Sequence, residues 1–242
     1  MSEITPRKEL GQNFLTSEEI AIQIAELVPT KGKVLEIGPG LGALTEHLAK
    51  RVSDLTVVEI DPQLIEILHR KLPASVEIIH NNCMKEDYSQ YDAIVGLLPY
   101  NLSSQIIEKF TVSTAKTAVF VIQKELAERV VAPAGTRDYS RFSVLCQNNC
   151  NCELIETYPP EVSWPAPQVH SSLVVMKKKK PIALNQQLVN ALFQHKNQNV
   201  RKALKHSRHL LKIDETKISQ TLLEKKVVQL TIQELSEMGK LI

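Results

Sequence analysis

The 242 residues carry 29 Lys or Arg against 27 Asp or Glu, a net charge of +2, and are 43% apolar and 23% charged. This balance allows a substantial core and excludes both a peptide-sized module and an extended disordered chain. No window approaches the ~18 apolar residues of a membrane span, and Arg7, Lys8, Glu18 and Glu19 stand where a leader would be apolar.

A cytoplasmic protein without membrane association is therefore expected. Cys83, Cys146, Cys150 and Cys152 leave a C-x3-C-x-C cluster with no fourth ligand nearby, so reduced thiols and no bound metal are expected. Nothing in the pattern demands a dimer, and a monomer is the expectation. The small net charge hides an asymmetry. Residues 177–212 hold ten Lys or Arg and no acid, leaving −8 for the rest, which suggests a polyanionic partner.

In chain order, "FLTSEEIAIQIAELVP" predicts a helix with Thr16 as N-cap and Glu19 completing a capping box; Pro29 closes it. "KVLEIG" reads as a buried strand, "ALTEHLAKRV" as a helix, "LTVVE" as a strand and "PQLIEILHRKL" as a helix begun by Pro62. The alternation continues through strands "VEIIH" and "DAIVG", a helix around 102–111, strand "TAVFVIQ" and helix "KELAERVV". This order implies an α/β fold with a parallel sheet covered by helices. "ELIETY" and "SSLVVM" flank the Pro-rich "YPPEVSWPAPQ" and read as an antiparallel edge pair. Beyond "KKKKP" only short helices are predicted, so the expected domains are 1–180 and 181–242.

"EIGPGLG", Glu36 to Gly42, lies between a strand and a helix, where glycines let the backbone turn and approach a ligand. Gly38, Gly40 and Ala43 also satisfy the looser dinucleotide pattern G-x-G-x-x-A. Against a dinucleotide, Pro39 offers no N–H to a pyrophosphate and Glu36 puts a carboxylate near it. S-adenosylmethionine, cationic and without phosphate, suits the turn better. Glu59, ending "VVEID", is placed to accept from ribose hydroxyls.

"GQNFL" (11–15), "EIGPGLGALT" (36–45), "VEID" (58–61), "LLPYN" (97–101), "IQKELAERV" (122–130) and "PAPQVHSSLV" (165–174) occur in one order. Together they resemble the ribosomal RNA adenine N6,N6-dimethyltransferase family, itself similar to the erythromycin-resistance methylases. The resemblance implies a Rossmann-like class I methyltransferase sheet with a small all-helical C-terminal domain. It implies S-adenosyl-L-methionine as cofactor and adjacent adenosines of small-subunit ribosomal RNA, in a particle under assembly, as substrate. By position, Gln12, Asn13 and Leu15 would close over the cofactor, Glu36, Gly38 and Gly40 would lie along it, and Asn82 would face its adenine. Leu97, Leu98, Pro99 and Tyr100 would hold the target base, which must leave its stack to be reached; Tyr100 would stack on it.

Three positions depart from the family pattern. Leu97 stands where the family has Asn, removing a side-chain acceptor for N6; by analogy with an oxyanion-hole donor, chemistry would slow roughly 10²-fold or more. Asn81 and Asn82 replace Gly-Asp, weakening cofactor contact by about 1 kcal/mol. Ser163 replaces an aromatic, with Trp164 next door as a substitute stacking surface. A slow or inactive member acting as an RNA-binding assembly factor is the alternative function.

"KNQNVRKALKHSRHLLK", 196–212, places Arg201, Lys205 and Arg208 at i, i+4, i+7, with Lys202 beside them and Leu204 and Leu211 for packing. His206 and His209 read as solvent or phosphate neighbours. The expected role of this face is RNA phosphate contact.

Overall fold

The computed structural model describes residues 5–208 and 213–242. It divides into two compact units, Met1–Ala127 with Cys152–Lys178, and Glu128–Asn151 with Lys179–Ile242. A single cut at 180 thus does not describe residues 128–151, which group with the C-terminal helices.

The first unit begins with β1 (Phe14–Leu15) and α1 (Glu18–Leu27), then β2 (Lys33–Ile37), α2 (Thr45–Ala49), β3 (Asp54–Glu59), α3 (Pro62–Lys71), β4 (Val76–His80), β5 (Ala93–Leu97), α4 (Ser103–Val112), β6 (Thr117–Gln123) and the start of α5 (Lys124–Val131). After α6 (Arg141–Asn149) the chain adds β7 (Cys150–Tyr158), β8 (Ser163–Trp164) and β9 (Ser171–Lys178). The sheet order is β4-β3-β2-β5-β6-β9-β7. β2 pairs in parallel with β3, Lys33 opposite Asp54, and with β5, Val34 opposite Ala93. Strands of a parallel sheet lose water on both faces, which accounts for the uninterrupted apolar runs. Val34, Leu35, Val57, Ile94 and Val95 are fully buried, each worth about 1.5–3 kcal/mol relative to exposure.

β7 and β9 are hydrogen-bonded neighbours at one edge of the sheet, as the expected edge pair requires, and β9 also runs antiparallel to β6 from Thr117 opposite Lys177 to Gln123 opposite Ser171. One expectation is corrected. Thr16 does not cap α1. Its N–H and hydroxyl both donate to the Val162 carbonyl at 2.9 Å, continuing the β1–β8 pairing, and the adjacent Ser17 accepts from Ile20 N as N-cap.

The second unit holds the rest of α5, α6, α7 (Gln186–Phe193), α8 (Val200–His206), α9 (Gln220–Glu224) and α10 (Ile232–Gly239). Reciprocal capping boxes open α6 (Ser140 with Ser143) and α10 (Thr231 with Glu234), each satisfying two otherwise orphaned helix N–H groups. Leu188, Leu192, Val200, Leu204, Leu223 and Leu235 form its apolar core. No described helix is long and apolar enough to cross a membrane.

Candidate functional site

The sheet runs outward in two directions from its middle: β3 and β4 lie on one side of β2, β5 and β6 on the other. A crevice forms where the carboxyl ends of neighbouring parallel strands diverge at such a reversal. Here the ends of β2, β3 and β5 bring Glu36, Glu59 and Leu97 to one crevice, roofed by the N-terminal strap carrying Gln12, Asn13 and Leu15.

The glycine turn supplies the floor. Gly38 and Gly40 sit at φ +63° and +56°, a region that L side chains rarely adopt. A Cβ on Gly40 would lie 2.8 Å from the Phe14 ring, whereas one on Gly38 would meet nothing within 4 Å. Gly40 is thus required by packing, while Gly38 opens onto free space beside the crevice.

Glu36 is 2% exposed, and its Oε2 has no hydrogen-bond partner among the described residues. Desolvation pushes its carboxyl up to about 8; the Thr45 hydroxyl opposes this and the Glu59 charge adds to it. Burial also pushes Glu59 up, opposed by backbone amides: its Oε1 accepts from Ile60 N at 2.8 Å and Asp61 N at 2.9 Å. Two buried acids with an orphaned oxygen disfavour an anion and favour a cation.

The strap is latched from below. Gln12 Nε2 donates to Asp61 Oδ2 at 2.8 Å, Gln12 Oε1 accepts from Arg7 N at 2.8 Å, and Arg7 Nε lies 3.5 Å from the same carboxylate oxygen. Asp61 is only 2% exposed and also caps α3 through Gln63 N. Its capping role is legible from the Asp-Pro start of the helix; its hold on the strap, 49 residues away, is not.

Gln12, Asn13, Leu15, Glu36, Gly38, Gly40, Glu59, Asn82, Leu97 and Pro99 all line the crevice. Three expected residues do not. Leu98 is buried, its N–H continuing the ladder to the Val121 carbonyl. Tyr100 is half-buried beyond the lining, its hydroxyl hydrogen-bonded to Ser171 Oγ at 2.7 Å and its phenol raised by burial. Trp164 stacks on Phe14, ring centroids 6.1 Å apart, because β1 and β8 pair Phe14 opposite Trp164. Asn82 already accepts from Met84 N at 2.9 Å. Cys83 and Asn101 also line the crevice; Asn101 ends the motif "LLPYN" with no role expected of it, and nothing in the sequence places Cys83 at the site.

A family model described as "Ribosomal RNA adenine dimethylase" matches residues 4–241. The chain belongs to the ribosomal RNA adenine dimethylase family. A probable ribosomal RNA small subunit methyltransferase A of Thermococcus gammatolerans is 40% identical over 96% of this chain and 87% of that protein. The crystal structure of a dimethyladenosine transferase from Plasmodium falciparum aligns with TM-score 0.80 and 21% identity over 93% of this chain and 95% of that one. That of the 23S rRNA methyltransferase ErmE aligns with TM-score 0.74 and 24% identity, covering 94% and 100%. These two likenesses concern the fold.

The residues expected to meet RNA in this family member lie in the second unit. Arg201, Lys202 and Lys205 are exposed on α8, while Val200, Ala203 and Leu204 are buried. Asn199 caps the helix through Lys202 N. Arg201 donates to Gln220 Oε1. Arg208 is not on the same helical face: α8 ends at His206, and Arg208 pairs with Glu215 at 3.1 Å. His206 faces His195, ring centroids 5.0 Å apart. His209, Leu211 and Lys212 lie outside the described residues. None of the four cysteines is in a disulfide, and no group of three or more metal-ligating side chains occurs among the described residues.

Proposed function

We propose that this protein methylates N6 of adenosines in small-subunit ribosomal RNA, using S-adenosyl-L-methionine held in the crevice at the ends of β2, β3 and β5. The observation that carries the reading is the orphaned Glu36 oxygen beside the open Gly38 turn: a buried acid that desolvation keeps protonated ionises most readily beside a cation, which suits the cationic methionine end of that cofactor and disfavours a pyrophosphate. Gly38 and Gly40 would let the backbone pass close to it, and the second carboxylate oxygen of Glu59 would take its ribose. Asn82 would meet its adenine through the amide nitrogen, because the oxygen is occupied by Met84 N. When bound, the cofactor supplies a sulfonium methyl group as electrophile.

The chain's own contribution is positioning. The strap, fixed by Asp61, would exclude water from the reacting centre, and the rigid Pro99 turn would hold the base against the wall begun by Leu97. Tyr100, anchored by Ser171, would support that turn or offer its ring to the base. Arg201, Lys202 and Lys205 would neutralise RNA phosphates, fixing register without reading sequence. In this reading the protein works as a cytoplasmic monomer on a particle under assembly.

The experiment is to incubate purified protein and labelled cofactor with undermethylated small subunits and measure label in the RNA. Incorporation is expected; its absence, with the cofactor still bound, removes the enzymatic reading. One observation favours a second reading, an assembly factor that keeps the fold and methylates slowly or never: Leu97 presents hydrocarbon where an amine needs an acceptor.

A further inference from the structure

The crevice has two chemically different sides. Toward β2 and β3 it is acidic, through Glu36 and Glu59. The wall that follows β5 is formed by Leu97, Pro99, Asn101 and Leu102, and among these Asn101 alone carries side-chain hydrogen-bonding groups.

Five side-chain amides line the crevice. Gln12 is bound to Asp61 and Arg7, Asn13 donates to the Gly11 carbonyl at 3.3 Å, Asn81 bridges Glu86 and Asn82 N, and Asn82 accepts from Met84 N. The Asn101 side chain makes no hydrogen bond among the described residues. It is also exposed, so neither its oxygen nor its nitrogen has been committed to holding the fold.

Its backbone, in contrast, is fixed. Pro99 O accepts from Leu102 N at 2.9 Å, closing a four-residue turn with Asn101 third, and also accepts from Ser103 Oγ at 2.9 Å. The strap presses against the side chain from the other direction. A Cβ on Gly11, at φ +66°, would lie 3.3 Å from Asn101 Oδ1 and 3.4 Å from Pro99 Cβ, so the strap passes close only because residue 11 is glycine. An uncommitted amide on a rigid turn, in an otherwise apolar wall, is a reader awaiting a polar edge.

An amide offers one acceptor and two donors in a plane. The edge it matches bidentately carries an amino group beside an unprotonated ring nitrogen, as adenine does; guanine presents a carbonyl oxygen there and inverts the first contact. Building on the proposed function, we propose that Asn101 is the base-reading residue: Oδ1 accepts from the adenine N6 amino group and Nδ2 donates to the neighbouring ring nitrogen. The contact orients the N6 nitrogen and supplies a side-chain acceptor that Leu97 lacks.

The test compares full-length wild type, Asn101→Ala and Asn101→Asp on undermethylated small subunits. It measures single-turnover methylation, cofactor affinity by calorimetry and thermal midpoint. Asn101→Ala is expected to slow methylation about 10- to 100-fold, the range for removing one bidentate pairing to a base, with cofactor affinity and midpoint within twofold and two degrees or so of wild type. Asn101→Asp keeps an acceptor and gives up the donor, and is expected to fall between. A rate for Asn101→Ala within about threefold of wild type, or a slowing matched by weaker cofactor affinity, overturns the assignment while leaving the proposed function standing. Wild type that forms no N6-methyladenosine removes that function and the assignment together.

Discussion

Gln12 and Asp61 meet across 2.8 Å, joining the strap over the crevice to the first turn of α3. Because Asp61 is buried and also receives Arg7, this one carboxylate decides whether the strap lies down. Asp61→Asn preserves a helix cap but gives up the charge. Hydrogen bonds to a charged group contribute about 1.5–3 kcal/mol, so cofactor affinity is expected to drop roughly 10- to 100-fold. Calorimetric titration checks this; an unchanged affinity would show that the strap does not close over the ligand.

Glu36 makes both stability and binding depend on pH. With its carboxyl raised from 4.5 to about 8, the folded protein retains a proton that the unfolded chain has released, so its contribution to stability is full at low pH and is lost between those values as pH rises. Glu36→Gln remains neutral. Wild type and variant are expected to respond alike to acid below about pH 5, and the variant to gain about 2 kcal/mol or more over wild type above about pH 8. Cofactor binding should move the opposite way, tightening in wild type up to about pH 8 as the carboxylate forms. Denaturation and binding measured across pH test both signs.

Leu97→Asn adds a second acceptor at the end of β5. The methylation rate is expected to rise on the order of 10-fold or more, with cofactor affinity unaltered. A slower variant would mean that the hydrocarbon wall serves the base better than an amide does.

Neutralising Arg201, Lys202 and Lys205 is expected to weaken particle binding and to flatten its salt dependence, by about 0.7–0.9 in the log–log slope for each phosphate that is no longer neutralised. Arg208, already paired with Glu215, should contribute less than any of these three. Binding titrations over a range of salt concentrations separate the four.

What can be read from the sequence divides along a physical line. The strand–glycine turn–helix at 33–49 and the acid ending β3 are legible because periodicity, turn chemistry and carboxylate position are local properties of the chain. The pairing of β9 with β6 is not, since strand order depends on a long return connection. The same applies to α6. Its helix escapes the sequence pattern, and its grouping with the C-terminal helices follows from packing of Val144 and Tyr139, which no local pattern announces. Within the site, Glu36, Gly38 and Glu59 stand out by residue type and lie in the crevice. Tyr100 and Trp164 also stand out by type, as aromatics, but they are engaged elsewhere, by Ser171 through the hydroxyl and by Phe14 through stacking. Asn101 closes the motif "LLPYN" but is given no role there, because its distinction is the absence of side-chain hydrogen bonds among the described residues, a property that exists only once every neighbour is in place.

The account turns on an adenine amine being received at the end of β5, opposite a cationic methyl donor. Nucleoside mass spectrometry of small-subunit RNA, after incubation with wild-type protein and S-adenosyl-L-methionine, measures this most directly. N6-methylated adenosine should accumulate with time; cofactor binding with no N6-methylated adenosine at any time would contradict the account.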